Sequence, residues 1–224
     1  MQLWSKKNNK NSPDFWKKYS ALFDGKTKQK SWEETRFVAF DTETTGFDFE
    51  KDRVLSIGAV GIKDNSINVA DQLELYLKQE IFNQDTVEIH GIRKNADLDQ
   101  ISEEKALQWF IEFIGDSILV AHHARFDTQM IDKALKRNGL GALKNKVLDT
   151  STLFKHTKHQ VYRNDFNRPY SLEELCKDLK ISESDRHTAS GDAFITALAF
   201  LKIISKLRRD KKIQKLKDLF ALSS

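Results

Sequence analysis

The order of β-strand and helix patterns is the feature that most limits the fold of this 224-residue chain. Three strand patterns come first, and Asp64-Asn65 between the second and third is typical of a hairpin turn. After Gly91, helical patterns alternate with short apolar strands. Three meandering strands followed by strand–helix alternation predict an α/β fold, with a mixed, mostly five-stranded sheet flanked by helices. The five segments are 36–41, 53–62, 67–77, 117–121 and 147–149.

Composition excludes several classes of protein. Hydrophobic residues make up 39% of the chain and charged residues 31%, which is typical of a globular protein and not of a disordered or fibrous one. No apolar stretch approaches the roughly 20 residues of a membrane span, and residues 1–10 lack the apolar core of a secretory signal. The single cysteine, Cys176, cannot form an internal disulfide, so we expect a reducing, cytoplasmic location.

The formal net charge of +4 is unevenly distributed. Residues 1–35 hold eight lysines against four acids, and residues 202–224 hold eight basic residues against two acids. The middle of the chain, 36–201, is therefore acidic overall. This pattern suits a protein that concentrates carboxylates in one place and meets a polyanion in another, although solvated helices would give it too.

Acidic residues stand at three places where the apolar pattern predicts burial. Asp41 and Glu43 follow the first strand and, being two residues apart, face the same side. Asp127 and Asp192 each lie on the apolar face of a predicted helix, in its first turn, and His187 precedes the second of them by five residues. Buried carboxylates repel one another and favour a divalent cation. Singly, each acid also fits a solvent-exposed strand end or a helix N-terminus.

Together these segments resemble the three motifs of the DnaQ-like 3′–5′ exonucleases, the family of the proofreading subunit of bacterial DNA polymerase III. The motifs read FDTETTG at 40–46, HHARFD at 122–127 and RHTASGDA at 186–193. The resemblance covers about 36–204 and implies a ribonuclease-H-like fold for that exonuclease domain. Residues 1–35 are then an N-terminal basic, aromatic helical extension, and residues 205–224 a basic C-terminal helical tail.

The resemblance also implies roles for individual residues. Two divalent cations, Mg²⁺ with Mn²⁺ as a substitute, would be held by Asp41, Glu43, Asp127 and Asp192, and His187 would act as general base. The substrate-binding residues that it implies are Thr44, Thr45, Gly46, His90, Gly91, Ile92, His123 and Phe126. The family usually has asparagine at the position of His123, a difference that leaves the neighbouring metal ligand unaffected.

The function that the resemblance implies is removal of nucleotides from single-stranded or frayed 3′ ends of DNA, in proofreading or repair, with a DNA polymerase as a possible partner. An exoribonuclease that trims RNA is an alternative. A catalytically silent module that binds nucleic acid or a polymerase is another, although all five catalytic positions carry the expected residue types.

The C-terminal segment Gln214–Phe220 partly resembles a peptide that binds a sliding clamp. Lys217 stands where such peptides usually carry an aliphatic residue. We therefore favour the simpler interpretation, the end of an amphipathic helix.

Overall fold

The computed structural model describes residues 12–25, 31–80, 99–158, 170–184 and 186–223. The strands are β1 (Phe37–Thr44), β2 (Val54–Lys63), β3 (Ser66–Leu77), β4 (Gln100–Ile101), β5 (Ile118–Ala121) and β6 (Val147–Asp149). The helices are α1 (Asp14–Ala21), α2 (Glu103–Ile114), α3 (Arg125–Arg137), α4 (Thr150–Lys155), α5 (Leu172–Leu179), α6 (Ala189–Arg209) and α7 (Leu216–Leu222).

The strands form one mixed sheet in the order β4-β3-β2-β1-β5-β6. β1, β2 and β3 are antiparallel neighbours, whereas β5 and β6 run parallel to β1. The predicted mixed α/β architecture is thus confirmed, with one strand more than the five predicted. The additional strand, β4, has only two residues and pairs with the end of β3. A two-residue strand is too short to leave a periodic pattern in the sequence.

The hairpin predicted at Asp64-Asn65 is confirmed. Both residues have left-handed backbone angles, with φ of 52° and 57°, between the paired residues Lys63 and Ser66. Two left-handed residues make the turn that matches the twist of antiparallel strands, and Asp and Asn tolerate this conformation better than most residues.

Alternation along β1 divides the core into two layers. Phe37 and Ala39 face a layer that α4, α5, α6 and α7 complete. Val38 and Phe40 face the opposite layer, which α1, α2 and α3 complete. All four side chains are buried, so β1 lies in the centre of the molecule with helices on both faces.

Helix α1 packs on the second of these layers. Its apolar residues Phe15, Trp16 and Tyr19 are buried there. The Tyr19 hydroxyl donates a 2.6 Å hydrogen bond to Asn145 Oδ1 and accepts a 2.7 Å bond from the Lys144 backbone N–H. Burial raises the pKa of Tyr19 to about 12, so the hydroxyl keeps its proton and remains a donor.

Helix α6 is the longest described helix, and it packs against β3, β2, β1 and β5. It continues to Arg209, beyond the predicted domain boundary at residue 204. Within the described ranges, neither α6 nor any other helix combines the length and the apolar character needed to cross a membrane.

Helix α7 contains most of the segment that resembles a clamp-binding peptide. Leu219 is fully buried in the core layer next to α6, and the Lys146 ammonium lies 4.6 Å from the centre of the Phe220 ring. A clamp could engage Leu219 only after α7 left the core. The segment therefore acts as a packed amphipathic helix in this structure.

We expect Tyr19→Phe to lower the free energy of unfolding by about 1–3 kcal/mol. The substitution leaves the Asn145 side chain and the Lys144 N–H without their buried partner. Lys17→Ala, which removes an exposed ion pair with Asp14 on the same helix, should change it by less than about 0.5 kcal/mol. Urea denaturation of both variants tests this. If Tyr19→Phe is as stable as Lys17→Ala, the buried hydrogen bonds of Tyr19 do not stabilise the fold.

Candidate active site

The site begins where β1 and β5 separate. The two strands pair only from Phe37 to Ala39 on β1, so Thr42 lies beyond the last pair. The Thr42 backbone N–H and hydroxyl both donate to Asp127 Oδ1, at 3.0 and 2.7 Å. Two directed hydrogen bonds therefore hold the carboxylate of α3 at the opening between the strands.

Three of the four predicted metal ligands converge on the other face of β1. Asp41 and Glu43 continue the row of Phe37 and Ala39, the face that α6 covers. Asp192 is in the first turn of α6. One carboxylate oxygen from each of the three acids lies within 4.8 Å of the others. Asp127 is not part of this three-acid cluster, and its Oδ1 is bound to Thr42.

A glycine in β2 allows α6 to begin so close to the sheet. Gly58 is directly opposite Asp41, and a Cβ atom at Gly58 would lie 2.1 Å from the Ala189 carbonyl group. The start of α6 is also tied to β3, since the Ser190 hydroxyl donates a 2.6 Å hydrogen bond to Glu74 Oε1. Within β3, the Tyr76 hydroxyl donates to the same oxygen at 2.9 Å. Gly58 is not among the predicted site residues, although a glycine in an apolar strand indicates such a close approach.

Crowding changes the acid–base behaviour of these carboxyls. Burial, followed by the charges of Asp127, Asp192 and Glu43, raises the pKa of Asp41 well above its ordinary value. Burial and the charges of the other acids raise the pKa of Glu43 to about 7. Burial raises the pKa of Asp127 to about 7, against the two hydrogen bonds from Thr42. Burial also raises the pKa of Asp192, and the guanidinium of Arg186 opposes that shift.

Arg186 and His187 stand next to the acids, in the segment that leads into α6. Arg186 Nη1 lies 3.1 Å from Asp192 Oδ1. His187 is exposed, has a left-handed φ of 69°, and its backbone N–H donates to the Asp192 carboxylate. His187 was a predicted site residue. Arg186 was not, because an arginine in a loop carries no periodic signal.

Hydrogen bonds of Asp149 and His122 hold the second motif in place. Asp149 Oδ2 accepts a 2.8 Å bond from the Ala124 N–H at the start of α3, while its Oδ1 accepts from Ser151 N–H at the start of α4. His122 Nε2 lies 2.8 Å from the Tyr170 carbonyl oxygen. A carbonyl oxygen only accepts, so Nε2 carries the proton. Burial lowers the pKa of His122 to about 4, which keeps the ring neutral.

The predicted substrate-binding residues of the first motif are held within their own loop. The Thr44 hydroxyl donates to the Gly46 carbonyl, and the Thr45 hydroxyl donates to Asp52 Oδ1, both at 2.7 Å. A Cβ atom at Gly46 would lie 2.4 Å from Asp52 Oδ2. The two hydroxyls therefore stabilise the loop.

The other predicted substrate-binding residues fall in two groups. Phe126 packs between Phe47 and Phe49, with ring centres 5.7 and 5.6 Å away. His123, with a left-handed φ of 56°, contacts the ring of His122 by its edge. The remaining three, His90, Gly91 and Ile92, lie outside the described residues.

The donor set fits a divalent cation. Three carboxylates supply hard oxygen ligands within 4.8 Å, the donor type that Mg²⁺ and Mn²⁺ prefer. The raised pKa values of these acids reflect burial and mutual repulsion, both of which a bound cation offsets.

We expect the protein in chelator to be less stable at about pH 8 than at about pH 6.5. Glu43 and Asp127 have raised pKa values of about 7, so the folded state holds protons that the unfolded state has already released. The stability that this provides is present below the unfolded pKa values and is lost as the pH rises through 7. The lowered pKa of His122 makes stability rise with pH, but only below the ordinary histidine pKa of 6.5.

Thermal unfolding across this pH range measures the effect. Glu43→Gln should flatten the pH dependence, and Mg²⁺ should restore stability at about pH 8. A wild-type stability that rises with pH in chelator would contradict the prediction.

We expect Gly58→Ala to weaken metal binding. The new methyl group would collide with the Ala189 backbone and displace Asp192. Gly61→Ala is the matched control, because there the collision is with the Asp71 side chain and not with α6. Both substitutions should cost about 1–3 kcal/mol of stability, but only Gly58→Ala should reduce the Mn²⁺-induced rise in Tm. Wild-type Mn²⁺ affinity in Gly58→Ala would refute this role for the glycine.

Known proteins similar to this chain are exonucleases and polymerases. The chain is 35% identical over 176 residues to the DNA polymerase III PolC-type protein of Caldanaerobacter subterraneus subsp. tengcongensis. It is 33% identical over 184 residues to that of Clostridium perfringens. These matches cover 78% and 82% of this chain but 12% of each relative. The chain therefore spans about an eighth of the length of these curated relatives.

Solved structures share the fold. Exonuclease X in complex with 5′ overhanging duplex DNA superposes with a TM-score of 0.60 at 19% identity, covering 85% of this chain and 99% of that one. Escherichia coli Exonuclease I in complex with a dT13 oligonucleotide gives a TM-score of 0.67 at 19% identity, covering 84% of this chain and 46% of that one.

The sequence model of the RNase_T exonuclease family matches residues 38–200, a range that contains all three acidic motifs. With the carboxylates of those motifs gathered at the end of the central strand β1, the chain belongs to this exonuclease family and is of the DnaQ-like 3′–5′ type.

Proposed function

We propose that this protein is a metal-dependent 3′–5′ exonuclease that hydrolyses phosphodiester bonds at 3′ ends of DNA. The observation that carries the proposal is the convergence of Asp41, Glu43 and Asp192, whose carboxylate oxygens lie within 4.8 Å of one another. Asp127 stands beside them at the opening between β1 and β5. Four acids of this kind are a suitable ligand set for two divalent cations, Mg²⁺ or Mn²⁺.

Asp41 and Asp127 have different places among the four acids in this proposal. Asp41 lies among the other three and is the carboxylate that most needs a cation, since each of them raises its pKa. Thr42 orients Asp127 by binding Oδ1, so Oδ2 is the oxygen that it offers as a ligand. Bound divalent cations would polarise the scissile phosphate and stabilise both the attacking and the leaving oxygen.

His187 is the proposed general base. It is exposed, and it lies next to the Asp192 carboxylate. The imidazole accepts a proton from the attacking water as the water oxygen bonds to phosphorus. The bond between phosphorus and the 3′ oxygen of the preceding nucleotide breaks, which releases a nucleoside 5′-monophosphate. An exposed ring can then return its proton to solvent.

The proposed nucleotide site lies between the loop after β1 and the start of α3. With their hydroxyls bound within the loop, Thr44 and Thr45 would contact the terminal nucleotide through backbone atoms. Phe126 and Phe47, the latter 77% exposed, offer ring surfaces on which bases can stack. A groove of about 600 Å³ continues from Phe47 along α3. His123, Gly46 and the predicted segment His90–Ile92 complete the proposed substrate contacts.

DNA is the preferred substrate in this proposal for two reasons. The relatives are DNA polymerase III proteins by name, and two of the solved exonucleases with this fold hold DNA. Removal of mispaired 3′ ends, in partnership with a DNA polymerase, is the corresponding role. A single buried cysteine, Cys176, suits the reducing cytoplasm in which such a role would be performed.

Degradation of 5′-labelled strands tests the proposal directly. Single-stranded DNA, matched and mispaired primer–templates, and RNA of the same sequence are compared in Mg²⁺ and in chelator. We expect Mg²⁺-dependent shortening from the 3′ end, fastest on single-stranded or mispaired DNA. A preference for RNA would show that RNA, and not DNA, is the substrate. If none of these 3′ ends is cleaved in Mg²⁺, the proposal that the protein is a nuclease is refuted.

Two variants assign the chemistry. Asp41→Asn should reduce kcat on the order of 10²–10³-fold or more by removing a ligand charge, and His187→Gln should reduce it about 10²–10⁴-fold by removing the base. Asp24→Asn, at an exposed site near the end of α1, is the matched control and should retain wild-type activity. Full activity of Asp41→Asn would contradict the assigned site.

A further inference from the structure

A permanently charged side chain lies inside the acidic site. Arg186 Nη1 is 3.1 Å from Asp192 Oδ1, with only 18% of the arginine side chain and 11% of the aspartate side chain exposed. The charge of the same guanidinium opposes the rise in the pKa values of Asp41 and Glu43, the other two acids of the cluster. An arginine stays protonated at every accessible pH.

The guanidinium and a divalent cation would share the Asp192 carboxylate. Asp192 supplies one of the three ligand atoms that lie within 4.8 Å of one another, and Arg186 is paired to that carboxylate. Two cations in direct contact with one buried carboxylate repel each other strongly in so confined a space. This repulsion favours withdrawal of one cation when the other binds.

The backbone around Arg186 allows such a withdrawal. Arg186 precedes the first residue of α6 and is outside the hydrogen-bond ladder of that helix. Its neighbour Thr188, the N-cap residue, accepts a bond from Gly191 N–H and so keeps the helix start in place independently of the arginine. The long side chain can therefore rotate toward solvent without moving Asp192.

We propose that Arg186 is an exchangeable counterion, which neutralises the carboxylate cluster until a divalent metal displaces it from Asp192. The inference rests on the proposed function, in which these carboxylates are the metal ligands. Arg186 then stabilises the folded site before metal binding and competes with the metal for one ligand. It is a positioning residue that tunes metal affinity, and it takes no part in bond breaking.

Two substitutions at this position and one control test the exchange in the full chain. Arg186→Gln removes the charge, and Arg186→Lys keeps it. Arg209→Gln removes one arginine charge at the other end of α6, where the side chain is 74% exposed and about 30 Å away along the helix. Mn²⁺ affinity is measured by calorimetry, and Tm is measured in chelator and in saturating Mn²⁺.

We expect Arg186→Gln to lower Tm in chelator, because the clustered carboxylates lose their counterion. The same variant should bind Mn²⁺ on the order of tenfold more tightly than the wild type, since its competitor is gone. In saturating Mn²⁺ its Tm should approach that of the wild type. Arg186→Lys should behave like the wild type in Tm and Mn²⁺ affinity, and Arg209→Gln should match it as well.

An ordinary structural ion pair would give a different result. In that case Arg186→Gln would lose the same Tm with and without Mn²⁺, and its Mn²⁺ affinity would be unchanged or weaker; either outcome overturns the proposal. Cleavage assays on the same preparations separate this proposal from the preceding one. If the Tm and Mn²⁺ measurements show the exchange but the wild type cuts no 3′ end, the nuclease function is contradicted and the role of Arg186 as a counterion stands.

Discussion

Repulsion among carboxylates in a confined, largely buried space is the constraint on which the site depends. Burial and three neighbouring acids raise the pKa of Asp41, and the pKa values of Glu43 and Asp127 are raised to about 7. Such a cluster opposes folding at neutral pH unless positive charge is supplied. The arginine next to Asp192 supplies part of it, and a divalent metal would supply more. The fold therefore holds together side chains that would separate if they were free to move.

The two features that hold them are both properties of the backbone. Separation of β1 from β5 frees the Thr42 N–H to bind Asp127, so a helix on one face of the sheet contributes a carboxylate to a site on the other. Gly58 lets the start of α6 rest against β2, which brings Asp192 to the strand that carries Asp41 and Glu43. A side chain at Gly58 would push the start of α6, and with it Asp192, away from Asp41 and Glu43.

Much of the fold could be predicted because it follows from local patterns. The Asp64-Asn65 hairpin, the alternating burial of β1 and the acid on the inner face of α3 are each visible within a few residues. The sixth strand could not be predicted, because β4 has two residues and depends on its pairing with β3. The same limit applies to Arg186. Its importance lies in a contact with Asp192, and no periodicity marks a loop residue whose partner is set by the path of the chain.

The sequence by itself determined the mixed α/β class, the five candidate catalytic residues and the resemblance of the chain to an exonuclease family. These conclusions depend on short-range spacing and on the order of the motifs. Only the tertiary structure decided which acids share one set of ligand atoms, which oxygen of Asp127 is bound to Thr42, and that the hydroxyls of Thr44 and Thr45 are used within their loop. The physical reason is that charge interaction and hydrogen bonding depend on distance in space. Residues 41, 127 and 192 become neighbours only when the sheet and its helices pack.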